Sequence, residues 1–181
     1  MAERETVNFD VAGSNPACRA IYEADMEIVR ITHDVIKIYW SMPDMWNGEN
    51  LKAVNPFTYD GKYDERINNA SVYFYGYKND NQIVAVNSIY ACPDNSVRSR
   101  GLYVIESYRK HGLAVKLLEH AIAESKGYDF VWSKPRVSAV EAYRKAGFQI
   151  TSDIFTENSD GTPTLWPNVM ARYDNNKKRE N

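Results

Sequence analysis

The period of hydrophobic and polar positions changes along the chain, and those changes divide it into elements. Residues 26–31 alternate Met26, Ile28 and Arg30 with Glu27, Val29 and Ile31, which predicts a strand. Thr32 then stands where a helix cap belongs, ahead of Val35, Ile36, Tyr39 and Trp40 at helical spacing, and Pro43 marks the stop. From residue 71 the alternation is dense, with Tyr73, Tyr75 and Tyr77 on one face and Val72 and Phe74 on the other. Asn79, Asp80 and Asn81 turn this strand into a second one at 82–91, so the pair reads as a hairpin. Pro93, Asp94 and Asn95 turn again into a strand at 97–104. The period then lengthens. Ala114, Val115, Leu117, Leu118, Ala121 and Ile122 predict a helix over 111–126, with Gly127 suited to its C-terminal cap. A short apolar run at 128–132 reads as a buried strand, parallel to its predecessor because a helix intervenes. A second helix over 137–146 stops at Gly147, and the last strands span 148–155 and 165–173.

Antiparallel strands followed by strand, helix, strand, helix and strand give an α/β chain with a mixed, mostly antiparallel sheet. Two stretches resist this reading. Residues 1–25 offer only the alternating Val7 and Phe9 and a turn-rich 13–16. Residues 41–70 scatter Met42, Met45, Trp46, Phe57, Tyr59 and Tyr63 among Asn, Asp, Gly and Pro, too apolar for a linker and too irregular for one helix. The tail at 174–181 is Asn- and charge-rich and reads as disordered, which leaves a single domain over 1–173.

Composition narrows the function. A chain of 181 residues is long enough for one real core. Lys plus Arg number 22 against 24 Asp plus Glu, a net charge of -2 that argues against a dedicated nucleic-acid binder. Two cysteines, Cys18 and Cys92, make neither a disulfide framework nor a zinc site, so the expected compartment is the reducing cytoplasm and no metal is expected. The charged N-terminus has no apolar run behind it, so no signal peptide or membrane contact is expected.

The candidate chemistry centres on Leu102, Tyr103, Val104 and the run Arg109, Lys110, His111, Gly112, Leu113 and Ala114, where a strand passes into a helix. A helix start has unpaired N–H groups and partial positive charge, so it suits an anion. Gly112 and Ala114 leave the backbone approachable, and Arg109 and Lys110 add charge. Ordinary helix starts with solvated charges share much of this pattern. What narrows it is order: Leu102-x-Val104 leading into Arg109-x-x-Gly112-x-Ala114 resembles the signature of the GNAT acetyltransferase superfamily. A second block, Ala139-x-x-x-Tyr143-x-x-x-Gly147-Phe148, is similar to another element of that family. The resemblance covers roughly residues 70 to 172.

The resemblance implies a GNAT-like fold, with a central splayed parallel strand pair flanked by helices. It implies transfer of an acetyl group from acetyl-CoA to a primary amine of an unidentified small molecule or peptide, by direct attack, and is compatible with a homodimer. It places the diphosphate at 109–114 and pairs the pantetheine arm with the opened strand at Leu102, Tyr103 and Val104. It assigns Tyr143 as the acid that protonates the leaving thiolate. A free phenol, of pKa about 10, is protonated at neutral pH and can donate to a thiolate of pKa about 8.5. Without the motif Tyr143 reads as an aromatic packed on the sheet. The family's wall of the acceptor pocket falls at 41–70, which reads equally as a satellite apolar cluster.

Departures qualify these roles. Arg136 replaces a frequent Asn, and either reaches a phosphate or is solvated. The strand before Val104 carries Arg98, Ser99 and Arg100 with no Glu, so the base is a water relay or one of Glu106, Asp94, Asp44 and Glu49. His111 suits phosphate or solvent, and His33 and His120 read as ordinary helix residues. The missing carboxylate keeps a non-catalytic CoA-binding module as one alternative. Arg98, Arg100 and the Lys177-Lys178-Arg179 run keep a nucleic-acid-modifying member of the fold as another, although each charge reads more simply as a solvated face.

Overall fold

The computed structural model describes residues 26–40, 72–157, 161 and 163–175. The alternation at the start is β1 (Met26–Arg30), antiparallel to β2 (Tyr73–Asn79). Helix α1 (His33–Trp40) lies between them in sequence, and its Val35 amide donates to the Thr32 hydroxyl at 3.3 Å, the cap the sequence predicts. Strand β2 turns through Asp80 and Asn81 into β3 (Gln82–Ala91), with Asp80 at φ +51°, a left-handed value that Asp tolerates better than most residues. Strand β3 pairs antiparallel with β4 (Ser96–Val104), which pairs in parallel with β5 (Phe130–Ser133) across the crossover helix α2 (Leu113–Glu124). A 3₁₀ turn (Val137–Ala139) leads into α3 (Val140–Lys145), followed by β6 (Gln149–Ile150), β7 (Phe155–Glu157), β8 (Pro163–Asn168) and β9 (Ala171–Asp174). Among the described residues the main sheet has seven strands in the order β1-β2-β3-β4-β5-β9-β6, and β7 and β8 form a sheet of their own.

Three expectations are corrected. The run at 148–155 is two strands in two sheets, β6 and β7, and the run at 165–173 is likewise β8 and β9. Both break at the same level, where the Thr151 amide donates to the Met170 carbonyl and the Met170 amide to the Ser152 hydroxyl. Helix α2 ends at Ser125 rather than at Gly127. The Ser125 hydroxyl donates to the Ala121 carbonyl at 2.6 Å, and the Asn175 amide group donates to the Ser125 and Tyr128 carbonyls.

Helix packing follows from the two sheet faces. Tyr75, Tyr77, Ile89 and Val97 bury against Leu113, Leu117 and Ala121 of α2. Leu118, Val131, Tyr143, Phe148 and Ala171 form the adjoining core of α3. On the other face Ile36 and Trp40 hold α1 against Val86.

Strand β4 keeps its facing only through a bulge. Ser88 opposes Arg100 and Val86 opposes Tyr103, so β4 carries one residue more than β3 over that interval. Gly101, at φ +77°, absorbs it. Val97 before the bulge, and Leu102 and Val104 after it, therefore all face α2. Trp40, fully buried, donates its indole N–H to the Gly101 carbonyl at 2.8 Å, and a Cβ on Gly101 would stand 2.3 Å from the indole ring. Left-handed strain and overpacking together predict that Gly101→Ala costs about 2–5 kcal/mol. Urea unfolding checks this; a loss within about 0.5 kcal/mol would show that the indole does not lean on this position.

Candidate active site

Strands β4 and β5 start side by side and then part. Ser96, Val97 and Arg98 pair with Phe130, Val131 and Trp132, where the parallel ladder stops. Strand β4 runs on from Ser99 to Val104, about 20 Å at strand spacing. At the parting point a side chain replaces the next rung: the Ser133 hydroxyl donates to the Ser99 carbonyl at 2.9 Å. Farther along, the Ile105 amide donates to Val84 in β3. Backbone groups of adjacent residues leave a strand on opposite sides, so Val104 presents its amide and carbonyl toward the opened edge. The side chains of Leu102 and Val104 are committed to the core, and Tyr103 lies on the α1 side with its ring 6.5 Å from Tyr39. What these residues can offer a ligand is backbone.

Beyond Val104 a 3₁₀ turn (Glu106–Tyr108) leads to Gly112, the N-cap of α2, at φ +81°. No side chain among the described residues caps this helix, and its first turn closes with the Lys116 amide on the Gly112 carbonyl at 3.1 Å. The leading amides therefore carry the helix's partial positive charge to an open surface. Among the described residues nothing lies within 4 Å of the point where a Gly112 Cβ would sit. Lys110, itself at φ +66°, and His111 are exposed beside it, and Ala114 is half-buried. Leu113 buries its side chain under α2, so it brings only its amide. Arg109 is tied back: its Nε donates to the Val104 carbonyl at 3.0 Å and its guanidinium lies 5.6 Å from the centre of the Tyr103 ring. It braces the end of β4 while keeping its charge at the turn.

Helix α3 buries Tyr143, whose hydroxyl stands 3.0 Å from the Ser133 hydroxyl. Ser133 spends its one proton on the Ser99 carbonyl, so the phenol is the donor. Burial pushes the Tyr143 pKa up to about 12, against the Ser133 hydrogen bond and the charge of Arg98, which pull it down. The polar chain continues into the sheet. Asn87 donates to the Ser99 hydroxyl at 2.9 Å and to the Tyr75 hydroxyl at 2.7 Å, and Tyr75 donates to the Leu117 carbonyl. Burial also holds the Tyr75 phenol well above its ordinary range.

Other predicted residues fall elsewhere. Glu106 is exposed in the 3₁₀ turn, and Asp94 accepts from the Ser96 hydroxyl, about 10 Å or more along β4 from the parting point. Asp44, Glu49, Trp46, Cys18 and the Lys177-Lys178-Arg179 run lie outside the described residues. The solvated-face reading of Arg98 and Arg100 is overturned. Arg100 is 9% exposed, and Arg98 donates to the Tyr90 hydroxyl while stacking 4.8 Å from the Trp132 ring. Arg136 stacks 4.7 Å from the Trp166 ring and forms a bridge with Asn168, tying the start of α3 to the small sheet. His33 stacks on Phe74, and His120 packs edge-on against Tyr75; burial lowers both pKa values. Among the described residues no group of His, Cys, Asp or Glu is placed to hold a metal, and no helix is long and apolar enough to cross a membrane.

The profile of the acetyltransferase (GNAT) family matches residues 32–148. The chain belongs to that family. No curated protein matches it in sequence. Among solved structures, this GNAT chain is similar to the IAA acetyltransferase of Bacillus cereus ATCC 14579, at 18% identity and TM-score 0.58 over 82% of this chain and 99% of that one. It is also similar to the ribosomal-protein-S18-alanine N-acetyltransferase of Escherichia coli, at 16% identity and TM-score 0.56 over 86% of this chain and 97% of that one. A GNAT acetyltransferase of Elizabethkingia anophelis, solved with acetyl-CoA bound, matches at 16% identity and TM-score 0.54 over 84% and 99%. At these identities the likeness is one of fold.

The buried phenols predict the alkaline behaviour of this GNAT fold. Their folded pKa values lie above the free value, so the native state keeps protons that the unfolded chain has lost. Stability is therefore full below about pH 10 and falls as pH rises toward the folded pKa, by at most about 1.4 kcal/mol per pH unit for each phenol. Denaturant titrations between about pH 9 and pH 12 should show this fall, with a shallower slope in Tyr143→Phe. An unchanged slope in that variant would mean that Tyr143 titrates alike in both states.

Proposed function

We propose that this GNAT chain transfers the acetyl group of acetyl-CoA to a primary amine by direct attack of the amine on the thioester. The observation that carries the reading is one continuous feature: an opened β4 edge, running into the uncapped start of α2, with a buried phenol at its apex. The open front of Gly112 suits a diphosphate, with Lys110 and Arg109 adding charge. The edge at Leu102 and Val104 suits the amide groups of the pantetheine arm, which pair as an added strand does. A β4 amide beside the thioester would polarise its carbonyl.

The neutral amine's lone pair forms the new C–N bond as the C–S bond breaks, Tyr143 gives its proton to the departing sulfur, and the nitrogen sheds its surplus proton to water, leaving the amide and the free thiol. A phenol at about pKa 12 is a reluctant donor to a thiolate near 8.5, a gap of roughly 5 kcal/mol for complete transfer. Transfer is therefore concerted with C–S cleavage, while negative charge is building on sulfur. A cytoplasmic setting, where acetyl-CoA is available, accords with this reading.

A thiol-release screen with acetyl-CoA against polyamines, amino acids, aminoglycosides and peptides with N-terminal alanine tests the activity. Turnover with one class is the expected result, and binding of acetyl-CoA without acetylation of any amine would favour the non-catalytic module. At the turn, Gly112→Glu should abolish coenzyme A binding, since its carboxylate would occupy the diphosphate position and repel it. Calorimetry showing unchanged affinity would remove the turn from the cofactor site. Tyr143→Phe should lower kcat about 10²–10⁴-fold with coenzyme A affinity nearly unchanged, because the hydroxyl matters once charge develops on sulfur. Parent-like turnover would take Tyr143 out of the chemistry.

A further inference from the structure

Ser133 stands at a junction that the reaction as described does not use. It is 3% exposed at the last position of β5, and its hydroxyl joins two groups that the site depends on. It donates to the Ser99 carbonyl, the first β4 carbonyl past the parallel ladder, and it accepts from the Tyr143 hydroxyl. Ser99 is fixed in turn, since its own hydroxyl accepts from Asn87. The acceptor at the end of the phenol's hydrogen bond is thus locked from two strands.

We infer that Ser133 is a positioning residue for the acid: it holds the Tyr143 hydroxyl at the apex of the β4–β5 opening and receives the phenolate that proton donation leaves. The inference rests on the reading of Tyr143 as the acid and extends it. To give its proton to sulfur the phenol O–H turns away from Ser133 Oγ, that hydrogen bond breaks, and the O–H electron pair stays on the phenolate oxygen. The Ser133 hydroxyl, a single rotor with one proton, then swings from the Ser99 carbonyl to the phenolate, and the Ser99 carbonyl gives up that hydrogen bond. No atom is lost, and the phenolate regains its proton from solvent before the next turnover. Burial disfavours a phenolate here, and the Ser133 hydrogen bond acts in the opposite sense.

A purely structural Ser133 would bridge the strands and affect turnover independently of Tyr143. Thiol release from acetyl-CoA, with the amine of the panel that reacts fastest, is therefore measured for the parent, Ser133→Ala, Ser133→Thr, Tyr143→Phe and the Ser133→Ala/Tyr143→Phe pair. Ser133→Ala should lower kcat about tenfold or more, a share of what the acid itself is worth. Ser133→Thr, which keeps the hydroxyl, should retain most of the parent rate. In the Tyr143→Phe background Ser133→Ala should cost nothing further. A calorimetric titration with coenzyme A on each variant reports that the fold and the cofactor site are intact. Should the alanine variant fail to fold, Ser133→Cys, close in volume and a weaker hydrogen-bonding group, takes its place with the same expectation.

Parent-like turnover of Ser133→Ala, or losses that multiply in the double variant, would overturn the inference while leaving Tyr143 as the acid. Parent-like turnover of Tyr143→Phe would overturn the acid assignment and the inference together, so the two failures are read on different proteins.

Discussion

A parallel strand pair that parts in mid-sheet leaves a row of backbone donors and acceptors without a ladder, and buried backbone groups must find partners. That constraint shapes the site of this protein. The ladder between β4 and β5 ends at Arg98 and Trp132, and β4 continues through six further residues. The first carbonyl past the end is satisfied by the Ser133 hydroxyl, and the Val104 carbonyl by the side chain of Arg109. Between these two closures lies the edge that the proposed reading gives to the pantetheine arm. The opening thus has a defined apex and a defined mouth, both made by side chains.

The same strand would fail without its bulge. An extra residue at Gly101 shifts the alternation by one, so that Leu102 and Val104 stay on the α2 face as Val97 does. Trp40 leaves no room for a Cβ at Gly101 and binds its carbonyl, so the bulge is held from α1, across 61 residues of sequence. The residues after Val104 then build the mouth of the site. A short 3₁₀ turn and a left-handed Gly112 aim the start of α2 at open surface, with no cap from a side chain among the described residues. Fold and anion site share one cause, since a capping side chain would satisfy the amides that an anion needs.

Much of this was legible in the sequence because it is written in local periods. Aromatic alternation in β2, the Asp80 and Asn81 turn, the helical spacing from Ala114 to Ile122 and the parallel crossover into β5 depend on neighbours in the chain. The turn around Gly112 was legible through a short motif, and the packing of Tyr143 on the sheet is what that residue suggests without one. What escaped is long-range. Ser133 falls just past the strand expected at 128–132, and only its partners Ser99 and Tyr143 give it a role. A glycine inside a strand pattern is a general sign of a bulge, yet alternation on both sides of Gly101 hides the shift. Arg98 and Arg100 suggest solvent by residue type, and the aromatic lining of that sheet face, Tyr90 and Trp132, reverses the reading. The breaks between β6 and β7 and between β8 and β9 come from a change of sheet partner, which leaves no mark on local periodicity.

The central claim is that the opened β4 edge and the start of α2 form one continuous cofactor slot. Amide hydrogen exchange with and without coenzyme A tests it most directly, because exchange reports each backbone N–H and needs no acceptor. Coenzyme A should slow exchange at Leu102, Val104 and the leading amides of α2 from Leu113 onward and leave the β1–β2 ladder unchanged. Protection confined to one of the two stretches, or appearing only elsewhere in the sheet, would contradict a single slot.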